Sequence, residues 1–194
     1  MRHGALRIYA GLLCAFAVCI AGATQAADPP SDHPSSDLER AVKAAYLYKF
    51  LNYVEWPPSA FADDSAPFVI GVYGADAIAA QLTQLAAEHD VAGRRVEVRR
   101  LKRYEPLAGV HVLFVGAQDA AQLPALVRAV RQRALLLVSE EKDGLDAGSA
   151  INLVVDDDHV RFDIAPENAE RMGVHLSSRL LAVARTVRDR GTDR

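Results

Sequence analysis

Hydrophobic residues follow two rhythms along this chain, and the changes between them mark the expected elements. Ala41–Phe61 keeps the helical rhythm. Glu39, Arg40 and Lys43 share one sector of a 3.6-residue wheel, and within a turn Leu47, Phe50 and Val54 take that sector over. Lys49 is the only charge between Ala44 and Val54. A helix that begins amphipathic and becomes apolar almost all round has to be covered on several sides. Pro57-Pro58 is expected to end it, because proline lacks the N–H and biases its predecessor out of the helical region. Ser36 or Asp37 is the expected cap at its start.

Beyond the prolines, short apolar runs alternate with amphipathic ones. Phe68–Tyr73 (FVIGVY), Val110–Val115 (VHVLFV) and Ala134–Val138 (ALLLV) read as strands buried on both faces. Val96–Leu101 alternates valine with charge, as an edge strand does. Ala75–His89 and Asp119–Arg133 carry helical spacing through Ile78, Leu82, Leu85 and through Leu123, Leu126, Val127, Val130. Gly74 and Gly116 each follow a strand and precede an aspartate, Asp76 or Asp119, expected to cap the next helix. Repeated strand–turn–helix units imply right-handed crossovers and a parallel sheet covered by helices. The fold class is therefore α/β, a small, doubly wound, Rossmann-like sandwich with a mostly parallel sheet. Ile151–Val155 and Val160–Ile164, joined at Asp156–His159, add an antiparallel hairpin at the sheet's edge. Pro166 suits the first turn of a short helix through Met172 that Gly173 interrupts. A last helix is expected over about Leu176–Arg188, followed by a charged tail.

The first 27 residues stand apart from this pattern. Arg2 and Arg7 precede an uncharged apolar run, Ile8–Ala23, and small residues close it at Ala26-Ala27. This is the order of a secretory signal peptide. Residues 28–37, DPPSDHPSSD, read as a flexible leader, residues 38–188 as one domain, and 189–194 as a tail. Cleavage removes two basic residues and no acid, leaving 20 basic against 25 acidic side chains, a net −5. That balance lacks the clustered basic face a nucleic acid demands. Cleavage also removes Cys14 and Cys19, so the processed chain holds neither thiol nor disulfide and depends on packing.

Catalytic constellations are mostly missing. No phosphate-binding glycine loop and no G-x-S-x-G elbow occurs. Ser139 follows a strand as a nucleophile would, yet Val138 and Glu140 flank it instead of glycines. The histidines have no metal-ligand spacing, and His111 reads as a hydrogen-bonded core residue. Asp156–Asp158 lacks the glycine and closing glutamate of a calcium loop. No metal and no cofactor is expected. A small molecule would dock, if anywhere, at the carboxyl ends of the strands. The residues there are Tyr73, Asp76, Gly116, Asp119 and Ser139, a net acidic set suited to a neutral or cationic ligand.

Two stretches carry a family resemblance. Lys43–Phe61 resembles the opening of the YfiR family in its aromatic helix, its Tyr53-Val54-Glu55-Trp56-Pro57 run and its Phe61. Ser149–Ala184 is similar to that family's closing segment, through Ile151-Asn152, Val160–Ile164 and Ser177–Leu181. The resemblance implies an exported α/β regulator that makes no bond and breaks none. It implies a homodimer that restrains a membrane diguanylate cyclase through the cyclase's periplasmic domain, released by an outer-membrane lipoprotein, so that cyclic di-GMP and biofilm formation follow envelope signals. Contact candidates are Tyr48, Lys49, Asn52 and Trp56 on the first helix, with Arg161 and Arg179 as a second patch. Two further readings stand beside it: a small-molecule module using the strand-end crevice, and a hydrolase using Ser139.

Overall fold

The structure, a computed structural model, describes residues 34–189. Residues 1–27, read above as a signal peptide, residues 28–33 with His33, and residues 190–194 lie outside the described residues. Helix α1 spans Pro34–Phe50, so it begins inside the segment read as a leader. It also ends earlier than the proline pair. Leu51, Asn52 and Tyr53 donate back to the carbonyls of Tyr48, Lys49 and Phe50, tightening the last turn. The chain then enters β1 (Val54–Glu55). Pro58 opens a separate 3-10 turn, Pro58–Ala60, at the position where proline loses nothing. Asp37 lies in the first turn of α1, paired with Arg40, rather than ahead of the helix as a cap.

The central sheet is built from β2 (Phe68–Tyr73), β3 (Val96–Leu101), β4 (Val112–Val115), β5 (Leu136–Ser139), β6 (Ile151–Asp156), β7 (His159–Ile164) and β9 (Thr186–Val187), in the order β3-β2-β4-β5-β6-β7-β9. The strands from β3 to β6 run parallel, β6 and β7 form the antiparallel hairpin, and β7 and β9 are parallel. Every residue of β2, β4 and β5 is buried, as their unbroken apolar runs require. Going from β2 to β3 moves one way across the sheet and from β4 to β5 the other. Right-handed crossovers therefore place α2 (Asp76–Glu88) and α3 (Leu123–Ala129) on opposite faces. On the α2 side, α1 packs along α2 and reaches β7. There Phe162 meets Tyr46 and Phe50 edge-on, with ring centroids 5.2 and 5.3 Å apart. On the other side lie α3, α4 (Gly144–Ala147) and α5 (Pro166–Met172). Leu47, Phe50 and Leu51 of the first helix and its turn are fully buried, each worth about 1.5–3 kcal/mol of apolar transfer.

The closing segment differs from the single long helix expected of it. β8 (His175–Leu176) pairs antiparallel with β1, Glu55 opposite His175 and Val54 opposite Leu176. Helix α6 covers only Ser178–Ala182, capped by Ser177. The chain then straightens into β9, because β7 offers an unpaired edge there. Arg185 N–H donates to Phe162 O, Arg188 N–H donates to Ile164 O, and the Arg185 guanidinium forks onto the Asp163 carboxylate at 2.9 and 2.6 Å. The second strand–helix turn differs too. Ala117–Gln122 winds as 3-10 backbone with Asp119 off helical geometry, and the α-helix starts only at Leu123-Pro124. Neither Asp76 nor Asp119 accepts a capping bond. Asp76 is already the first residue of α2.

Candidate functional site

The order reversal between β2 and β4 is the switch point at which open parallel sheets hold ligands. Here the two loops that flank it are fastened to each other. Gly116 N–H donates to Tyr73 O at 2.8 Å. A methyl placed on Gly116 would stand 2.6 Å from Gly74 O, and one on Gly74 would stand 2.7 Å from an Asp119 carboxylate oxygen. Glycine at both positions permits this approach, and φ +65° at Gly74 requires it.

The next N–H, that of Ala117, points where a bound anion would sit, and the Glu140 carboxylate accepts it at 2.9 Å. The other oxygen of Glu140 takes Lys43 Nζ at 2.6 Å. Lys43 also pairs with Glu39 and is 8 % exposed. Burial by itself depresses the Lys43 ammonium, but its hydrogen bonds and charge contacts with Glu140 and Glu39 outweigh that, and the net direction is upward. The acidic strand ends thus receive a cation from the chain's own first helix. Sequence reasoning did not single out Lys43. The signal was there: residues 43, 47 and 50 share a helix face, and a lysine on a face otherwise given to Leu47 and Phe50 needs an acid.

Ser139, at the end of β5, is buried beneath Gly144. Its hydroxyl lies 2.6 Å from Asn152 Oδ1 and 2.8 Å from Ser149 Oγ. A single hydroxyl proton goes to the amide oxygen, which can only accept, so Ser149 donates to Ser139. None of these partners is a base. Asp76 is exposed on α2, away from this cluster. Tyr73 is buried, and its hydroxyl donates to Lys102 O.

Of the aromatic residues on and after α1, most turn inward. Tyr48 is half-buried, and its hydroxyl donates to His89 O at 2.6 Å, tying α1 to the end of α2. Burial, with Asp90 assisting, pushes that phenol up. Trp56 donates to Leu51 O at 3.2 Å and packs against Phe68 and His111. His111, as its place in the pattern implied, is a hydrogen-bonded core residue. Its Nδ1 accepts Val69 N–H at 3.1 Å, so Nε2 carries the proton and donates to Ala60 O at 3.1 Å. Burial holds its pKa below the usual imidazole value. Lys49, Asn52 and Tyr53 are exposed, and the β1–β8 pairing carries Arg179, also exposed, toward them: Ser177 N–H donates to Tyr53 O. Arg161 sits elsewhere. It is exposed between buried Val160 and Phe162, so strand alternation points it away from α1.

Among the described residues no cluster of His, Cys, Asp or Glu has metal-binding geometry, and no helix is long and apolar enough to cross a membrane. Among curated proteins none matches the chain. Two solved structures share its fold at 14 % identity. A conserved domain protein from Vibrio cholerae O1 biovar eltor and the ABC domain in complex with L-Trp from Streptococcus pneumoniae each superpose with a TM-score of 0.51. The match covers 77 % of this chain in both cases, and only 60 % of each of those chains. That likeness supports the α/β architecture. The family model described as YfiR/HmsC-like matches residues 40–185, from the second turn of α1 to the residue before β9. This family is one of periplasmic regulators of cyclic di-GMP signalling, regulatory rather than enzymatic. The chain belongs to the YfiR/HmsC-like family.

Proposed function

We propose that this chain is exported to the periplasm by its first 27 residues and there inhibits a membrane diguanylate cyclase by gripping the cyclase's periplasmic domain. The observation that carries the reading is the family match across nearly the whole described fold. The sealed strand-end crevice supports it, because the groups a small ligand would use are engaged with one another. The contact surface we assign is the corner where α1 ends, with Lys49, Asn52 and Tyr53 beside Arg179. Tyr48 and Trp56 hold that corner in shape from beneath, and Arg161 marks a separate contact on β7. The acting form in this proposal is a homodimer, and an outer-membrane lipoprotein relieves the restraint.

Mechanistically this is a population shift. The regulator binds the inactive cyclase better than the active one, and moving a balance from mostly on to mostly off takes about 5.5 kcal/mol of differential affinity. Deleting the gene should raise cyclic di-GMP, and restoring it with Arg179→Glu and Asn52→Arg should fail to lower it again, although the variant folds. Unchanged cyclic di-GMP in the deletion strain would refute the inhibition.

A further inference from the structure

The crossover from β3 to β4 contains no helix. These two strands flank β2 on opposite sides and run parallel, so the chain must cross one face of β2 between Leu101 and Val112. It does so in irregular backbone. Right-handedness puts the crossing on the face opposite α2, beside α3. Gly71 of β2 lies beneath it, where an added methyl would stand 2.6 Å from Leu101 Cδ1 and 3.2 Å from Val110 Cγ1. A single extended crossing covers less of the sheet than a helix does. A groove of about 430 Å³ remains between it and α3, lined by Tyr73, Leu107, Ala125, Leu126 and Ala129.

This groove is held in place. The Tyr73 hydroxyl donates to Lys102 O, and the Arg99 guanidinium donates to Ala108 O at 3.1 Å and Pro106 O at 3.3 Å. On its rim Tyr104 is 90 % exposed with φ +68°, a bulky residue in the left-handed region. Lys102, Arg103 and Arg133 around it are exposed. The one acid among the lining residues, Glu105, accepts Lys102 N–H and faces Arg99 at 3.9 Å. This basic rim lies on a chain whose overall charge is −3. Arginine on an edge strand guards against strand addition, which accounts for Arg99. A fully exposed tyrosine does the opposite, because aromatic side chains anchor interfaces.

We propose that this groove docks an amphipathic helix of a partner protein, its apolar face on Leu107, Leu126 and Ala129 and its acidic flank against Lys102, Arg103 and Arg133. The partner helix takes the place of the covering helix that this crossover lacks, and Tyr104 closes over it. The proposal does not depend on the partner being a cyclase.

The test is an amide chemical-shift titration of the isotope-labelled chain with a synthetic leucine/glutamate amphipathic helix, alongside a leucine/lysine counterpart. Shifts confined to Leu107, Ala125 and Ala129 with the acidic peptide, and none with the basic one, are expected. Tyr104→Gly and Ala129→Arg should each weaken binding at least tenfold. Tyr104→Gly also removes the left-handed strain, so its melting temperature should not fall, which separates lost docking from lost folding. Equal response to both peptides, or no response in this region, overturns the proposal. So does binding only to anionic phosphatidylglycerol vesicles, which would make the face a lipid contact. Self-association abolished by Ala129→Arg without peptide binding would assign the groove to a second copy, and overturns it equally.

Discussion

Replacing Lys43 by methionine should destabilise the chain far more than removal of a surface charge does. The lysine is 8 % exposed, and the Glu140 side chain is 14 % exposed on its own account. Removing one member of a buried pair typically costs about 3–5 kcal/mol, because the remaining charge stays desolvated. Glu140 would keep the Ala117 N–H at 2.9 Å and some solvent, which places the cost near the lower end, about 3 kcal/mol. For a domain of this size that lowers the melting temperature by roughly 6–12 °C. Urea unfolding followed by fluorescence of Trp56, the single tryptophan, reads it directly, since that indole packs on Phe68 and His111. The double variant Lys43→Met/Glu140→Gln should recover at least about 1 kcal/mol relative to the sum of the single changes, as contacting residues do. The sign with pH is also set. Folding raises the Lys43 pKa above its ordinary 10.5. Its contribution is therefore complete below that value and is lost as the pH climbs through the higher folded-state pKa. The wild type should lose stability above pH 10.5 more steeply than Lys43→Met. A cost below about 0.5 kcal/mol, the range of exposed pairs, or strict additivity in the double variant, would refute the buried bridge.

Two other buried groups make separate predictions. His111 is held neutral, with a pKa below its ordinary 6.5. Its contribution is complete above that value and declines as the pH falls toward the folded-state pKa, at up to about 1.4 kcal/mol per pH unit. Urea melts at pH 7.5 and 5.5, with an NMR titration of the His111 ring, check this, and a ring titrating at 6.5 or above would contradict it. Ser139→Ala should cost about 1–3 kcal/mol, by stranding Asn152 Oδ1 and the Ser149 hydroxyl in a buried cluster. An unchanged denaturation midpoint would contradict it.

Where the pattern was repetitive, the sequence was legible. β2, β4 and β5 are continuous apolar runs because both faces are covered, and β7 alternates because one face is wet. That the sheet is mostly parallel followed from the two strand–turn–helix units. The illegible parts are those where tertiary pairing overrides local preference. Nothing in Val54-Glu55 announces a strand; it becomes one because His175-Leu176 is brought alongside. Arg185–Val187 has helical spacing and is straightened by the free edge of β7 and the Arg185–Asp163 fork. Asp119 stands where a cap would, but Pro124 moves the helix start past it. Around the candidate site, the strand-end residues were found and their acidity noticed. The cation that answers them comes from about a hundred residues earlier, a separation that local pattern does not span.

That cation decides how the switch point can behave. In open parallel sheets an anion at this position takes free N–H groups where the following helix begins. Here Glu140 holds the N–H of Ala117, and Lys43 holds Glu140. A ligand seated there has to displace the carboxylate and leave Lys43 buried beside Glu39 alone, which forfeits most of the roughly 3 kcal/mol assigned above to the pair. At about 1.4 kcal/mol per tenfold, an entering molecule loses roughly a hundredfold in affinity before making any contact of its own. A thermal-shift panel of small anions, amines and amino acids should accordingly be flat for the wild-type chain. A ligand at 100 times its Kd adds about 2.7 kcal/mol of stability, well within reach of the method. A shift of that size that grows in Glu140→Gln would show that the crevice opens and that Glu140 is its gate.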